Sequence, residues 1–474
     1  MEKKVRIPAR ERYFGDKAFY RQVVALVLPM LIQNTISNVV SLLDNVMVGQ
    51  VGTLQMSAVA IVNQLMFVFN LCIFGGMSGA GIFATQFVGA KDDDGIRHCF
   101  RFNFLLGIFL VIAATLVFTV APTPLISMYL AEGTEASAAA ATMTCAREYL
   151  FVMLIGLLPF AVTQMYVSTL RSLGETRLPM IASVVAILVN LCGNWLLIFG
   201  NLGCPELGVT GAAIATVISR YVEMVIVVIY THVHSKRFVF IQGAYKSMHI
   251  PRDLVLKIAK KGSPLLFNEF LWSAGMAMLS QCYSVRGLDV VAATNISSTI
   301  SNLFNVAFMS MGTAVAVMVG TALGAGEFTE ARKTASRLIV VTCGLALITE
   351  TALLLCAKSI PNIYNTEAEV RQLATSFLRI VAVSMPIHAF AHCCYFTLRA
   401  GGKTIVTFFF DCVFTWVISF AVAFTLVHFT SLSIVPVYFI VTMCDIIKDI
   451  VGYILLKSGV WVNNIVEKEE EAAA

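Results

Sequence analysis

The chain has 474 residues, of which 58% are hydrophobic and only 13% charged, with a formal net charge of +5. Soluble domains carry about 25% charged residues, so this composition excludes a soluble globular protein. No nucleic-acid partner is expected, and the net charge is less informative than its placement along the chain. Apolar runs of roughly 20 residues, the length that crosses a bilayer as a helix, recur along the chain. The sequence therefore predicts an all-α polytopic membrane protein rather than a membrane β-barrel, whose strands would alternate over about 10 residues.

Twelve transmembrane helices are predicted, six in each half of the chain. The expected spans are 22–48, 57–87, 99–121, 146–170, 179–200, 209–232, 257–285, 291–322, 336–357, 372–397, 405–428 and 433–456. This pattern divides the chain into an N-terminal tail (1–21), a first lobe (22–234), an inter-lobe linker (235–256), a second lobe (257–457) and a C-terminal tail (458–474).

The two halves of the chain resemble each other. A gap-free alignment of the two halves of the sequence places Pro29 on Pro264 and Gly89-Ala90 on Gly324-Ala325. An even number of spans per half gives both halves the same orientation in the membrane. We therefore expect two six-helix lobes related by a pseudo-twofold axis along the membrane normal, as in transporters built from parallel repeats.

Basic residues are concentrated on one predicted side of the membrane. The N-terminal tail and the loops that follow even-numbered spans contain Lys3, Lys4, Arg6, Arg10, Arg97, Arg171, Arg332, Arg399 and Lys403. By the positive-inside rule this side is cytoplasmic. The sequence thus predicts a multi-pass protein of the cytoplasmic membrane with both termini in the cytoplasm.

Motifs of enzymes and of cofactor sites are missing from the sequence. It contains no HExxH or GxSxG motif and no phosphate-cradling loop, so an enzyme is not predicted. The twelve cysteines lie mostly in apolar spans and show no CxxC or Cys/His ligand spacing, which is typical of small core side chains. No cofactor and no zinc site are expected.

Asp44 is an ionisable residue inside span 1, and such residues are functional candidates in membrane proteins. Asn190 and Asn194 are four residues apart in span 5, so they share a helix face at a similar depth. A carboxylate facing two amide oxygens can bind a small cation, Na⁺ included, or a proton. The alternative is a structural aspartate whose hydrogen bonds the two amides satisfy.

The second half has its own polar candidates, and Asp411 and Glu350 also lie inside its spans. Span 7 contains Asn268 and Glu269, a carboxylate near aromatic residues that can bind a lipophilic cation or a proton. Alternatively, Glu269 extends to the cytoplasm from a helix end. Two histidines on one face of span 10 can relay protons or serve as structural residues: His388 and His392.

Two further pairs are interpreted as structural ion pairs. Arg220 and Glu223 are three residues apart in span 6, and Asp445 and Lys448 are three apart in span 12 with the signs reversed. Opposite charges at this spacing are neighbours on a helix, and pairing reduces the cost of placing them in a low-dielectric environment.

Five segments resemble the MATE family of multidrug and toxic compound extrusion transporters over essentially the whole chain. They are LPMLIQN…LLDNVMVGQVG, VGAKDDDGIRHCFRF, LGAGEFTEARKTASR, LRSLGETRLP and LRAGGKT. The resemblance implies a 12-helix, two-lobe fold that exports lipophilic and cationic compounds by Na⁺ or H⁺ antiport.

The resemblance also implies roles for individual residues. Asp44 matches the acidic residue in span 1 of the family's N-lobe cation or proton site, and Asn190 matches the asparagine of that site in span 5. Asn194 stands where several members carry an aspartate, so this site has one carboxylate fewer. His388 and Ser273 stand where members with a C-lobe cation site carry acidic residues.

The sequence thus predicts a secondary active multidrug efflux transporter that works by alternating access of two lobes. The coupling ion is Na⁺ or H⁺, the expected partners are drugs, organic cations and membrane lipids, and the expected state is a monomer. The alternative is a flippase of lipids or lipid-linked oligosaccharides from the same superfamily. A flippase needs a basic cavity for pyrophosphate, whereas Arg379 is the main basic residue in the middle of a span.

Overall fold

The computed structural model describes residues 9–129, 136–364 and 366–467. These residues form twelve principal helices joined by short loops. The first six are α1 (Lys17–Gly49), α2 (Thr53–Gly89), α3 (Asp93–Val120), α4 (Ala136–Ile155 and Leu157–Ser172), α5 (Arg177–Phe199) and α6 (Gly208–Val233). The others are α7 (Arg252–Ser284), α8 (Leu288–Met309 and Met311–Gly324), α9 (Phe328–Cys356), α10 (Ala368–Ala400), α11 (Thr404–Phe429) and α12 (Ile434–Met443 and Asp445–Ser458).

Short helical segments precede α1 or connect neighbouring principal helices. They are the α-helices Ala9–Tyr13 and Pro122–Ser127 and the 3₁₀ turns Asn201–Gly203, Val239–Ile241 and Ile360–Ile363. Each predicted span coincides with one of the twelve principal helices, so the all-helical membrane class is confirmed. Ten helices within the described ranges are long and apolar enough to cross a membrane. The two that are not among them are α7, which is rich in lysine near its start, and α12, which is interrupted at Cys444.

Several helices are interrupted where the sequence disrupts the backbone hydrogen bonds of the helix. Pro159 has no N–H to give to the carbonyl of Ile155, and α4 is interrupted at the adjacent Gly156. The Gly156 carbonyl at the break accepts two hydrogen bonds, one from the Phe160 backbone N–H at 3.3 Å and one from the Arg220 guanidinium at 3.3 Å. In α11 the backbone widens into π-helix over Phe409–Val413 and Thr415–Phe420. Such widened turns occur frequently at functional sites.

The chain divides into two compact units. The N-unit comprises Ile32–Ala84 and Asp93–Ala259, and the C-unit comprises the described residues up to Leu31, Thr85–Asp92 and those from Lys260 onward. The core of the N-unit includes the fully buried side chains Ile73, Ile126, Leu150, Leu157 and Met165. The C-unit has two clusters, one around Phe377, Leu378 and Val437 and one around Val315, Leu323, Leu338 and Leu398. Outward-facing apolar residues, such as Phe109 and Ile112 on α3, are exposed as expected for a lipid-facing surface.

A close helix contact explains part of the internal repeat. A Cβ added at Gly89 would overlap the carbonyl oxygen of Thr321, and one added at Gly324 would overlap the carbonyl oxygen of Gln86. The ends of α2 and α8 therefore pack backbone to backbone, which only glycine permits at these two positions. Each copy of the repeated Gly-Ala pair thus lies against the helix that carries the other copy, within the C-unit.

The segment that follows α6 is attached to the N-unit. Arg101 donates to the carbonyl oxygens of Ala244 (2.9 Å), Gly243 (2.9 Å) and His249 (3.1 Å). The hydroxyls of Tyr245 and Tyr166 are 2.5 Å apart, and burial raises the pKa of Tyr245, so this loop residue stays a neutral phenol. The part of the predicted linker up to residue 249 is therefore an ordered extension of the N-unit.

Candidate functional site

The structure brings together the three polar residues that the sequence grouped in the first half. Asp44 lies on α1, and both asparagines lie on the facing side of α5. The Asn194 amide nitrogen donates to the Asp44 carboxylate at 2.9 Å. When the Asn190 amide nitrogen faces the same carboxylate, it donates to the two oxygens at 3.0 and 3.3 Å, and the Asn190 oxygen accepts from the Thr216 hydroxyl at 3.2 Å. Sequence reasoning missed Thr216, because nothing in its local sequence separates it from other small residues of α6.

These contacts leave the charge of Asp44 uncompensated. The amides are neutral donors, and both asparagines are buried. The Asn194 side-chain oxygen is buried and has no hydrogen-bond partner among the described residues. The charge of a carboxylate inside a membrane helix is neutralised either by a bound proton or by a nearby cation. Carboxylate and amide oxygens are suitable ligands for a hard cation. The N-unit thus contains an oxygen-lined position at which either species can bind.

The predicted pair in α6 belongs to a larger cluster. Glu223 lies in the electrostatic field of both Arg171 and Arg220, and it is hydrogen-bonded by the Ser183 hydroxyl. The Arg220 guanidinium lies over the Phe160 ring, 5.2 Å from its centroid, and also bonds the interrupted backbone of α4. The Glu223 carboxylate therefore interacts electrostatically with two arginines. In the sequence Arg171 is identifiable only as a basic loop residue, because its proximity to α6 depends on how α4 packs.

Asn268 and Glu269 are placed at adjoining positions in the C-unit. The Asn268 amide donates to Asp411 at 3.2 Å and to the Tyr395 hydroxyl at 3.3 Å. Glu269 is also hydrogen-bonded to Tyr395 and lies in the field of Arg399. Glu269 is therefore part of a polar cluster inside the C-unit. Tyr395 connects the two residues that the sequence had grouped by adjacency alone.

The charged residues of α12 form their closest contacts with other helices. The Lys448 ammonium is 2.6 Å from an Asp411 oxygen, and His388 is 3.0 Å from an Asp445 oxygen. The spacing of three residues within α12 had suggested that Asp445 and Lys448 are each other's partners. The charge of Asp445 does act on Lys448, but α11 and α10 provide the direct partners. Spacing along one helix cannot reveal such partners, because they depend on how neighbouring helices are rotated.

The structure separates the two histidines of α10. The His392 ring nitrogen is 3.3 Å from the carbonyl oxygen of Met309, and the ring packs against Phe396 with centroids 4.7 Å apart. His388 contacts Asp445 instead. One histidine therefore faces a carboxylate and the other contacts the backbone at the end of a helix segment.

The carboxylate cluster around Lys448 had one sequence indication, which is the position of Asp411 within an aromatic run in α11.

The described part of the chain contains no cluster of three or more His, Cys, Asp or Glu side chains that could hold a metal ion. The oxygen-lined position at Asp44 has a single carboxylate. Such a donor set is suited to a weakly held monovalent cation or a proton, since tight divalent sites use several carboxylates.

Comparison with known proteins shows matches over nearly the whole chain. The MatE family profile matches residues 29–196 and 264–425. The probable multidrug resistance protein NorM of Thermotoga maritima is 24% identical over 463 residues, which cover 95% of each chain. The probable multidrug resistance protein YoeA of Bacillus subtilis is 25% identical over 426 residues, covering 88% of this chain and 89% of that one.

Solved structures show the same fold. One is an outward-facing multidrug resistance MATE family transporter of the MOP superfamily, with a TM-score of 0.84 and 22% identity, covering 96% of this chain and 98% of that one. Another is a MOP superfamily transporter from Pyrococcus furiosus, with a TM-score of 0.81 and 20% identity over 96% of this chain and 98% of that one. The predicted 12-helix transporter fold is thereby confirmed.

Proposed function

We propose that this chain, which belongs to the MATE family of multidrug and toxic compound extrusion transporters, exports lipophilic and cationic organic compounds by antiport against Na⁺ or H⁺. The family consists of transporters rather than enzymes, and the relatives named above are described as probable multidrug resistance proteins. We extend that description to this chain together with an ion-coupling step. The chain is a multi-pass membrane protein, and we place it in the cytoplasmic membrane as a monomer with both termini in the cytoplasm.

The observation that supports this proposal is the Asp44 carboxylate, held inside α1 by amides that provide no positive charge. A group in this position binds a proton or a cation with a free energy that depends on how well its surroundings compensate the charge. A conformation that brings Asp44 nearer to water binds the ion less tightly. The ion therefore favours one conformation through its differential affinity, which is the condition for coupling.

The Asn190 amide adds to the stabilisation of the ionised carboxylate. With its nitrogen toward Asp44 it donates to the two carboxylate oxygens at 3.0 and 3.3 Å, and its oxygen accepts from the Thr216 hydroxyl at 3.2 Å. These bonds hold Asp44 in place without neutralising its charge.

In the C-unit we propose that Asn268, Glu269, His388 and His392 contribute to substrate or proton binding. Glu269 supplies a negative charge near the aromatic ring of Tyr395, a combination that is suited to an organic cation. The His388 ring nitrogen lies 3.0 Å from an Asp445 oxygen, which places a histidine and a carboxylate in direct contact. The contact of His392 with the Met309 carbonyl links α10 to the end of the first segment of α8.

The test is transport by the purified protein in liposomes. A Na⁺ gradient and a pH gradient are imposed separately while uptake of a fluorescent organic cation is followed. We expect one of the two gradients to drive transport, and we expect Asp44→Asn to reduce it by about tenfold or more, because the coupling charge is lost.

The matched control is Asp289→Asn, which neutralises an exposed aspartate at the start of α8 and should leave transport unchanged. Transport by Asp44→Asn at the rate of the unsubstituted protein would refute the role of Asp44. Failure of both gradients to move the cation, together with binding of a polyprenyl pyrophosphate, would favour the flippase alternative.

A further inference from the structure

The side chain of Lys448 fills a position in the C-unit that is lined by groups suited to a cation. Its ammonium is 2.6 Å from one oxygen of Asp411, and both side chains are largely removed from solvent, with 12% and 18% of their surface exposed. The other Asp411 oxygen accepts from the Asn268 amide at 3.2 Å. The carboxylate is thus held on one side by a neutral donor and presents its other side to the ammonium.

Aromatic rings surround the same ammonium. The Lys448 nitrogen lies 5.4 Å from the ring centroid of Phe410 and 5.9 Å from that of Phe414. Phe410 precedes Asp411 within the first π-helical segment of α11, and Phe414 follows directly after that segment. A cation over aromatic faces and beside a carboxylate is a recurring arrangement in sites that bind organic ammonium groups.

Further carboxylates act on this position. The charges of Asp445 and Asp449 act on Lys448 in addition to that of Asp411. His388 contacts Asp445 at 3.0 Å, whereas one oxygen of Asp449 is buried without a hydrogen-bond partner among the described residues. If the ammonium were removed, the remaining carboxylates would have to take up a proton or a replacement cation, because a buried charge without its partner is strongly destabilising.

We propose that Lys448 is a tethered cation that occupies a built ammonium site, and that the chemical class of ligand which this site accepts is a primary alkylammonium ion. The C-unit therefore has a permanent internal cation at Asp411, whereas the N-unit takes up a mobile one at Asp44. The proposal does not depend on the identity of the transported compounds. Its test measures binding rather than transport, so it can fail independently of the proposed antiport.

The test replaces the tethered cation by a free one. Lys448→Ala deletes the three methylene groups and the ammonium that together correspond to n-propylamine. We expect added n-propylammonium to raise the unfolding temperature of purified Lys448→Ala, by at least about 3 °C at saturation, because a ligand that binds only the folded state stabilises it. The unsubstituted protein, whose site is filled, should show no such rise.

Two matched variants make the test specific. Lys448→Met removes the charge but keeps the volume, so the free amine has no room and should not stabilise the protein. Lys448→Ala combined with Asp411→Asn removes the anchoring carboxylate and should also show no response. Sodium chloride at the same ionic strength should not replace the amine in Lys448→Ala.

Stabilisation of the Met variant or of the double variant to the same degree would overturn the proposal, and so would an equal effect of Na⁺ or no effect of the amine on Lys448→Ala. Recovery of folded Lys448→Ala only when n-propylammonium is present during purification would support it. If this variant folds in neither buffer, the site does not accept a free amine and the proposal is wrong.

Discussion

Asp44 and Asp411 are both aspartates inside membrane helices, yet their partners differ in charge. Asp44 is bonded by the neutral amide of Asn194, whereas Asp411 has the ammonium of Lys448 at 2.6 Å. An ion pair remains neutral as a unit, so it has little need of an external ion. A carboxylate among amides can become neutral only by taking up a proton or a cation. This difference is why we assign ion coupling to the first aspartate and a permanent charge balance to the second.

A second carboxylate at the Asp44 site should strengthen its affinity for a hard cation. Asn194→Asp places the new carboxylate close to Asp44, where the amide nitrogen is now 2.9 Å from it. Two carboxylates bind Na⁺ more tightly than one, because the number of charged oxygen ligands rises. We expect the unfolding temperature of Asn194→Asp to rise on exchange of choline chloride for NaCl by more than that of the unsubstituted protein. The control, Asn295→Asp, alters an exposed position on α8, and equal responses of both variants would contradict this prediction.

At the level of the helices, the last turn of α2 is attached to the segment that follows α12. Gln86 is fully buried and donates to the carbonyl oxygens of Ala400 (2.9 Å) and Asn463 (3.2 Å). Its own oxygen accepts from the backbone N–H of Ile465 at 2.8 Å. Trp461 is buried nearby and packs over Gly401, where a Cβ would overlap its carbonyl. A single glutamine thus satisfies three backbone groups and holds the post-α12 segment in place.

Replacement of this glutamine should release the segment after α12. Gln86→Leu removes the side-chain partner of one backbone N–H and of two carbonyls, of which the Ala400 carbonyl is buried. An unsatisfied buried group of this kind costs about 1–3 kcal/mol. We expect a lower unfolding temperature and faster tryptic cleavage after Lys457, measured by limited proteolysis of the purified protein. Gln64→Leu changes an exposed glutamine on the same helix and should show neither effect. Unchanged cleavage in Gln86→Leu would mean that the post-α12 segment is held by its other contacts.

For the molecule as a whole, the placement of charge along the chain carries the information on topology. Arginines and lysines cluster in the loops that follow even-numbered helices, and the helices between these loops are almost entirely apolar. The positive-inside rule relates this asymmetry to the cytoplasmic face. We therefore retain the proposal that both ends of the chain lie in the cytoplasm.

Reporter fusions in a bacterial host test this orientation. A green fluorescent protein fused after residue 467 should fluoresce, because it folds in the cytoplasm, and alkaline phosphatase at the same position should be inactive. The same two reporters fused after Gly203, in the loop between α5 and α6, should give the opposite result. Fluorescence at Gly203 together with phosphatase activity after residue 467 would show that the topology is inverted.

The all-helical class and the number of spans were predictable from the sequence, because the length of an apolar run and the polarity of its ends are local properties. The grouping of Asp44 with Asn190 and Asn194 was also within reach, since a spacing of four residues sets a common helix face and span position sets depth. The recurrence of glycine at equivalent positions of the two halves indicated a structural role for Gly89 and Gly324. Nothing in the sequence indicated that the two contact each other's helices.

The folded arrangement was needed to identify which helix supplies each polar partner. Lys448 contacts Asp411, His388 contacts Asp445 and Arg101 binds the loop after α6. Each of these contacts depends on the rotation and lateral order of helices, which result from packing many apolar faces at once. In a membrane, where lipid and core residues are equally apolar, hydrophobicity does not show which face of a helix meets a neighbour. Residue composition therefore specifies that the helices form, and side-chain packing specifies which charges meet.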